Sequence, residues 1–272
     1  MEYVFNSSVV LLAILYTLLV VGYARVFALG PGGLGLHVRP LLAGTVILHF
    51  VSILLWSIKI GACPLGSPVE FLSLVAFSIA VIYYVLELRI RERSTGVFAL
   101  TPAFILQLIA AVGVLGSVGR NGSKMGLLTS WHAFAAIVGS SAVALAGVYG
   151  LLYLFLYTAI KRGRFGLFYR KMPPLEVLSN LNFVAAAVAF LAISITVGLG
   201  YIVPLEARDK GVSFKDLEAI LGWVLWALYG GCMLARRYLR FGGKRLAYTT
   251  LLGLLPLAVI FFRGLWTHGF HE

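Results

Sequence analysis

The chain has 272 residues, of which 61% are hydrophobic and 12% are charged, and its mean hydropathy is +0.97. Soluble domains carry about 25% charged residues, so this composition excludes a water-soluble enzyme and a disordered chain. It predicts a polytopic membrane protein. The net charge of +12 would suggest a nucleic-acid partner for a soluble protein. In a membrane protein, cationic cytoplasmic loops are the simpler explanation, and we expect no nucleic-acid binding.

Eight apolar segments are long enough to cross a bilayer, which requires about 20 residues. The fold class expected from them is an all-α transmembrane bundle, with 1–272 as a single transmembrane domain. The fifth segment is long, so we expect it to tilt or to project beyond the bilayer. The predicted spans, in chain order, are roughly 8–29, 40–60, 69–88, 98–118, 131–160, 182–204, 219–237 and 246–265.

The basic residues predict the orientation of the bundle. Loops that follow the odd-numbered spans hold 15 of the 22 Lys and Arg residues, and the opposite side holds the other seven. Cytoplasmic loops are enriched in Lys and Arg. The odd-numbered loops are therefore expected in the cytoplasm, with both termini on the outer side.

Three histidines are the candidates for chemistry. His132 opens the fifth span directly after Trp131, and His268 follows the eighth span, so both are expected at the outer surface. Two imidazoles at one level can ligate a haem iron axially, although interfacial histidines in an aromatic belt have the same pattern. His49 lies near the middle of the second span, about 16 Å deep at the rise of a helix. It is either functional or a hydrogen-bonded packing residue.

Other reaction classes find little support in the residues. The sequence contains no P-loop, no GxGxxG, no HExxH and no CxxCH motif. A proton-coupled transporter would need paired acidic residues within its spans, whereas Glu70, Glu87 and Glu176 fall at span ends or in loops. A small-solute transporter is therefore kept only as a minor alternative.

Seven segments together resemble the cytochrome c assembly family of CcsA-like and HemX-like membrane proteins, over nearly the whole chain. Each segment alone is weak, but their order along one chain is specific. The segments are His49 in an early span, GACPLGSPVEFLS (61–73), WHAFAAIVGSSAVALAGVYGLLYLFLY (131–157), MPPLEVLSNLN (172–182), FKDLEAILGWVLWALYG (214–230), FGGKRLAY (241–248) and HGF (268–270).

The resemblance implies how such a protein would work. In that family the two outer histidines and the outer loop between them hold haem, which implies a non-covalent haem b bound by His132 and His268 as axial ligands, with Asp216 in the 205–217 loop. His49 would belong to a second haem site. The implied partners are an apocytochrome c and a ResB-like membrane protein, and the implied location is the bacterial cytoplasmic membrane, with the lipid bilayer around the chain.

One departure from the family limits the activity. Complete synthases of the family carry a Trp-rich motif in the outer loop, and the loop 205–217 contains no tryptophan. The chain would thus be at most one part of a cytochrome c haem-lyase complex, with no catalytic residue assigned. The alternative is a HemX-like regulatory protein that affects the level of glutamyl-tRNA reductase, with loops 161–181 and 236–245 as the contact surfaces.

Overall fold

The computed structural model describes residues 2–269 except 31, 33, 34, 36, 62, 66, 116–125, 207–216 and 240. These described residues form helices and no strand, which confirms the predicted all-α fold. The helices are α1 Glu2–Leu29, α2 Val38–Ile60, α3 Pro68–Ile90, α4 Gly96–Leu115, α5 Leu127–Lys161, α6 Leu167–Lys171, α7 Leu175–Glu206, α8 Leu217–Tyr238, α9 Gly243–Leu252 and α10 Leu254–Gly269.

Eight helical segments in the described part of the chain are long and apolar enough to cross a membrane. The chain is therefore a multi-pass integral membrane protein, as predicted. The eighth of these segments joins α9 to α10 through Gly253. The predicted end of the fourth span, at 118, lies outside the described residues.

The sixth span begins earlier than predicted. Hydropathy places its start at 182, whereas α7 begins at Leu175, directly after Pro173 and Pro174. Glu176, in the first turn, is among the polar residues that lower the hydropathy of this segment. A helix can begin after a proline and carry polar residues in its first turn, so the helical start and the apolar start differ.

The chain divides into two compact units. Unit 1 comprises 1–125 and 164–173, and unit 2 comprises 126–163 and 174–272. In unit 1, α1 and α3 each pack against both α2 and α4. In unit 2, α5 and α7 pack along each other, α9 packs against both, and α8 and α10 complete the group.

Two glycines of α5 allow α9 and α10 to pack closely against α5 in unit 2. A methyl group at Gly150 would lie 2.6 Å from Oγ1 of Thr250, and one at Gly147 would lie 2.7 Å from the Leu254 side chain. The methyl group at Gly150 would also lie 2.9 Å from the backbone carbonyl oxygen of Ala247, so the close approach requires glycine at that position. Since residue numbers fall along α5 as they rise along α9 and α10, the helices run antiparallel, and α5 begins at the end of unit 2 where α10 finishes.

A buried ion-pair cluster joins the helices at one end of unit 1. The Glu87 side chain on α3 is fully buried and accepts a hydrogen bond from Nε of Arg39 on α2 at 3.1 Å. The Tyr23 hydroxyl on α1 donates to its other oxygen. Nε of Arg93 lies 3.5 Å from the same carboxylate, while Nη1 of Arg93 donates to the carbonyl of Gly35 at 2.8 Å. One carboxylate therefore links α1, α2, α3 and the connection to α4.

We expect Glu87→Gln to destabilise unit 1 by about 3 kcal/mol, because removing one partner of a buried ion pair leaves the others without compensation. Thermal and denaturant unfolding in detergent measure the loss. Glu218→Gln is the matched control, since Glu218 pairs with Arg263 at 3.5 Å but both side chains are about half exposed. Exposed pairs contribute less than about 1 kcal/mol. Equal effects of the two substitutions would contradict the role given to Glu87.

Candidate functional site

The described geometry fixes His132 against α7. His132 lies in the second turn of α5, and its Nδ1 is 2.9 Å from the backbone carbonyl oxygen of Thr196 on α7. A carbonyl oxygen only accepts hydrogen bonds, so Nδ1 carries the proton of the neutral ring. The ring is half-buried, and the hydrogen bond sets its orientation.

The second nitrogen of His132 is the one available for binding. With the proton on Nδ1, the lone pair of the neutral ring is on Nε2. Among the described residues, His132 has only the hydrogen bond to Thr196. Histidines that ligate a metal commonly donate their other ring N–H to a carbonyl or carboxylate, which fixes the tautomer. His132 has this arrangement.

Gly200 makes room for the His132 ring. A methyl group at Gly200 would lie 3.3 Å from Cε1 of His132 and 3.7 Å from its Nδ1. At Gly198, two residues away on α7, an added methyl group would meet no atom within 4 Å. The absence of a side chain at 200 thus lets the imidazole approach α7 closely enough to reach the Thr196 carbonyl.

An apolar groove of about 430 Å³ lies between α5 and α7, in the turns of the two helices that also hold His132 and its contacts. Three of its lining residues directly precede the residues just described: Trp131 before His132, Ile195 before Thr196, and Leu199 before Gly200. The other lining residues are Leu128, Phe134, Ala135, Val138 and Ala192. His132 is not one of the lining residues, but the groove gives the same turns of α5 and α7 a surface suited to an apolar ligand.

The other predicted outer ligands are only partly described. His268 lies in the last turn of α10, in unit 2 with His132, but its side chain is outside the described part. Asp216 lies outside the described residues altogether. No group of three or more His, Cys, Asp and Glu side chains suited to a metal ion occurs in what is described, although an axial pair on haem needs only two.

His49 lies in unit 1 and is completely engaged in hydrogen bonds. Its side chain is buried, its Nε2 is 3.0 Å from Oγ of Ser73, and its Nδ1 is 3.2 Å from the Tyr16 hydroxyl. Ser73 donates its own proton to Oε1 of Gln107 at 3.0 Å, and Nε2 of Gln107 donates to the Val9 carbonyl at 3.2 Å. Four polar side chains and one backbone carbonyl thus form one chain of hydrogen bonds inside a membrane-spanning unit.

The direction of this chain determines the tautomer of His49. Because the Ser73 proton goes to Gln107, the Ser73 oxygen accepts from Nε2–H of His49. The Nδ1 lone pair then faces the Tyr16 hydroxyl, which is also 3.3 Å from the Ala76 carbonyl. This is the geometry of the packing alternative, since neither nitrogen of His49 is left open for iron. The prediction that His49 serves a second haem site stays a prediction.

Glu70 is a second buried acidic residue besides Glu87, and it is not among the candidate site residues predicted from the sequence. Glu70, in the first turn of α3, accepts a hydrogen bond from Nε1 of Trp56 at 2.6 Å, and the Ser67 hydroxyl accepts from the Glu70 amide. The Ser-x-x-Glu spacing at 67–70 is the signature of a capped helix start and would have located this acid.

Burial and the Glu70 carboxylate raise the pKa of the nearby Cys63 thiol, so Cys63 is a protonated, weakly nucleophilic thiol at neutral pH.

Comparisons with family models, with curated proteins and with solved structures gave no match. The function of the chain is therefore inferred from its own geometry and from the sequence resemblance.

His132 and His49 should have opposite neutral tautomers, His132 with its proton on Nδ1 and His49 with its proton on Nε2. Nitrogen NMR of ¹⁵N-histidine-labelled protein in micelles separates the two forms by their chemical shifts. Loss of one signal in His132→Asn and of another in His49→Asn assigns them, and His37→Asn serves as the control. A Nδ1-protonated His49 would contradict the hydrogen-bond chain described above.

Proposed function

We propose that the chain is a haem-handling membrane protein of cytochrome c biogenesis, which holds or relays haem at its outer face through His132 and His268. The observation that carries this proposal is the His132 geometry. Nδ1 is bound to the Thr196 carbonyl, and Nε2 carries the lone pair that iron requires. The apolar groove in the same turns of α5 and α7 suits the edge of an apolar macrocycle.

Helix geometry supports the pairing of His132 with His268. Gly147 of α5 packs against Leu254 of α10, and the two helices run antiparallel. From 147 back to 132 is about 22 Å along α5, and from 254 forward to 268 is about 21 Å along α10, at 1.5 Å per residue. The two histidine positions thus lie at similar heights at the same end of unit 2.

The proposed activity is retention and presentation of the cofactor. His132 and His268 would together hold the haem iron, and an iron held by two histidines would suit holding or relaying haem rather than oxygen chemistry. When bound, haem b would supply the vinyl groups that couple to the cysteine thiols of an apocytochrome c. The chain contributes binding and orientation, and an apocytochrome c and a ResB-like membrane protein are the partners that we propose.

The setting of the activity is part of the same proposal. The excess of Lys and Arg in the odd-numbered loops favours an outer location for the start of α5 and the finish of α10. We propose the bacterial cytoplasmic membrane. The lack of tryptophan in the loop 205–217 favours an accessory member of the assembly machinery over a complete synthase.

Purified protein reconstituted with haem in detergent should show a low-spin Soret band at one haem per chain. His132→Ala and His268→Ala should each abolish the low-spin form, because each removes one axial ligand. His37→Ala, which removes a histidine just before α2, is the control and should leave the spectrum unchanged. Colourless protein after reconstitution, or equal loss in His37→Ala, would refute the proposal.

Displacing the His132 ring without removing it should also weaken haem binding. Gly200→Val places bulk against the imidazole and disturbs its bond to Thr196, so we expect haem affinity to fall by about 10–100-fold, the range for loss of an outer-shell partner. Gly198→Val is the matched control, since position 198 is open. Equal affinities of the two variants, from haem titration, would show that the ring orientation is irrelevant to binding.

A further inference from the structure

A pair of lysines lies where α5 ends and α9 begins, in unit 2. We define the lysine corner as Tyr157, Lys161, Lys244 and Tyr248. Nζ of Lys244 is 5.2 Å from the ring centroid of Tyr157 on α5 and 6.0 Å from that of Tyr248 on α9. Lys161 lies one turn after Tyr157, so both project from the same face of α5. The aromatic rings thus hold the Lys244 ammonium group near Tyr157, one helical turn before Lys161.

No carboxylate of the described residues neutralises the positive charge of the lysine corner. Lys161 and Lys244 are exposed. Within the described residues, neither has a carboxylate oxygen within 4.0 Å, since the three ion pairs found there involve Arg39, Arg93 and Arg263. Two unpaired ammonium groups at one corner favour an anionic ligand.

An apolar stripe leads away from the lysine corner along the same span. Tyr248, Leu252, Leu255 and Val259 follow Lys244 at steps of three or four residues. Gly253, which joins α9 to α10, has helical backbone angles (φ −63°, ψ −20°), so the five residues follow one face of the joined segment. The four apolar side chains are 53%, 57%, 64% and 44% exposed. The stripe is about 22 Å long at 1.5 Å per residue, and it runs from cation to aromatic ring to aliphatic side chains.

We propose that the lysine corner binds the phosphate of an anionic phospholipid, with one acyl chain lying along the stripe. The order of groups along the stripe matches the order in a phospholipid, in which an anionic phosphate is followed by an interfacial region and a hydrocarbon chain. A nucleic acid or an acidic protein segment would be matched by the lysines but not by an aliphatic face within a membrane span. The stripe therefore favours lipid.

Native mass spectrometry of the detergent-purified protein tests this site, with dioleoyl phosphatidylglycerol and dioleoyl phosphatidylcholine added at equal concentrations. We expect preferential retention of the anionic lipid. Lys161→Ala and Lys244→Ala should each weaken that retention by about fivefold, the contribution of one basic residue near an anionic lipid. Lys244→Arg should retain the lipid, and Leu252→Gln should weaken retention of both lipids by disturbing the stripe.

Arg237→Ala is the matched control, because it removes one exposed charge at the same end of unit 2 but from α8. Loss equal to that of Lys244→Ala would overturn the site in favour of diffuse electrostatics. Equal retention of the two lipids would also overturn it. Displacement of the lipid by the same concentration of inorganic phosphate, or by a short RNA, would assign the lysines to a free phosphate or a polyanion instead.

Discussion

Hydrocarbon offers no hydrogen bonds, and this constraint explains the contacts of Glu87 and His49 in unit 1. A polar group that enters the membrane must find its partner within the protein. In unit 1 the Glu87 carboxylate joins three helices to a loop, and His49 is held through both ring nitrogens. Through these hydrogen bonds and ion pairs, Glu87 and His49 hold apolar helices together. His132 differs because one of its nitrogens is bound and the other is open.

The spans themselves were largely predictable, because hydropathy and length are local properties of a sequence. The start of α7 was not, since Glu176 and its polar neighbours belong to a helix that begins before the apolar segment does. The grouping of the helices into two compact units was also not predicted from the sequence. It depends on which helices pack together, and packing is decided by close approaches such as that of Gly150 to Thr250.

The candidate site was predictable in its residue types and not in its geometry. Position at a span end selected His132, but its contact with a carbonyl 64 residues away depends on the rotation of α5 about its axis. The same holds for His49, whose partners Tyr16 and Ser73 lie 33 residues before it and 24 residues after it. Helix rotation is set by the sum of many packing contacts, and no local pattern reports it. The geometry of the site therefore could not be predicted from the sequence.

The length of α5 ties the two proposed sites to the thickness of the bilayer. His132 and Lys161 lie on this one helix, about 43 Å apart at 1.5 Å per residue, and a bilayer with its headgroup regions is about 40–45 Å thick. The single helix α5 is thus long enough to reach from one headgroup layer to the other. In membranes with shorter or longer lipid tails, α5 must change its tilt. Lipid composition would then alter the depth of the imidazole and of the lysine together.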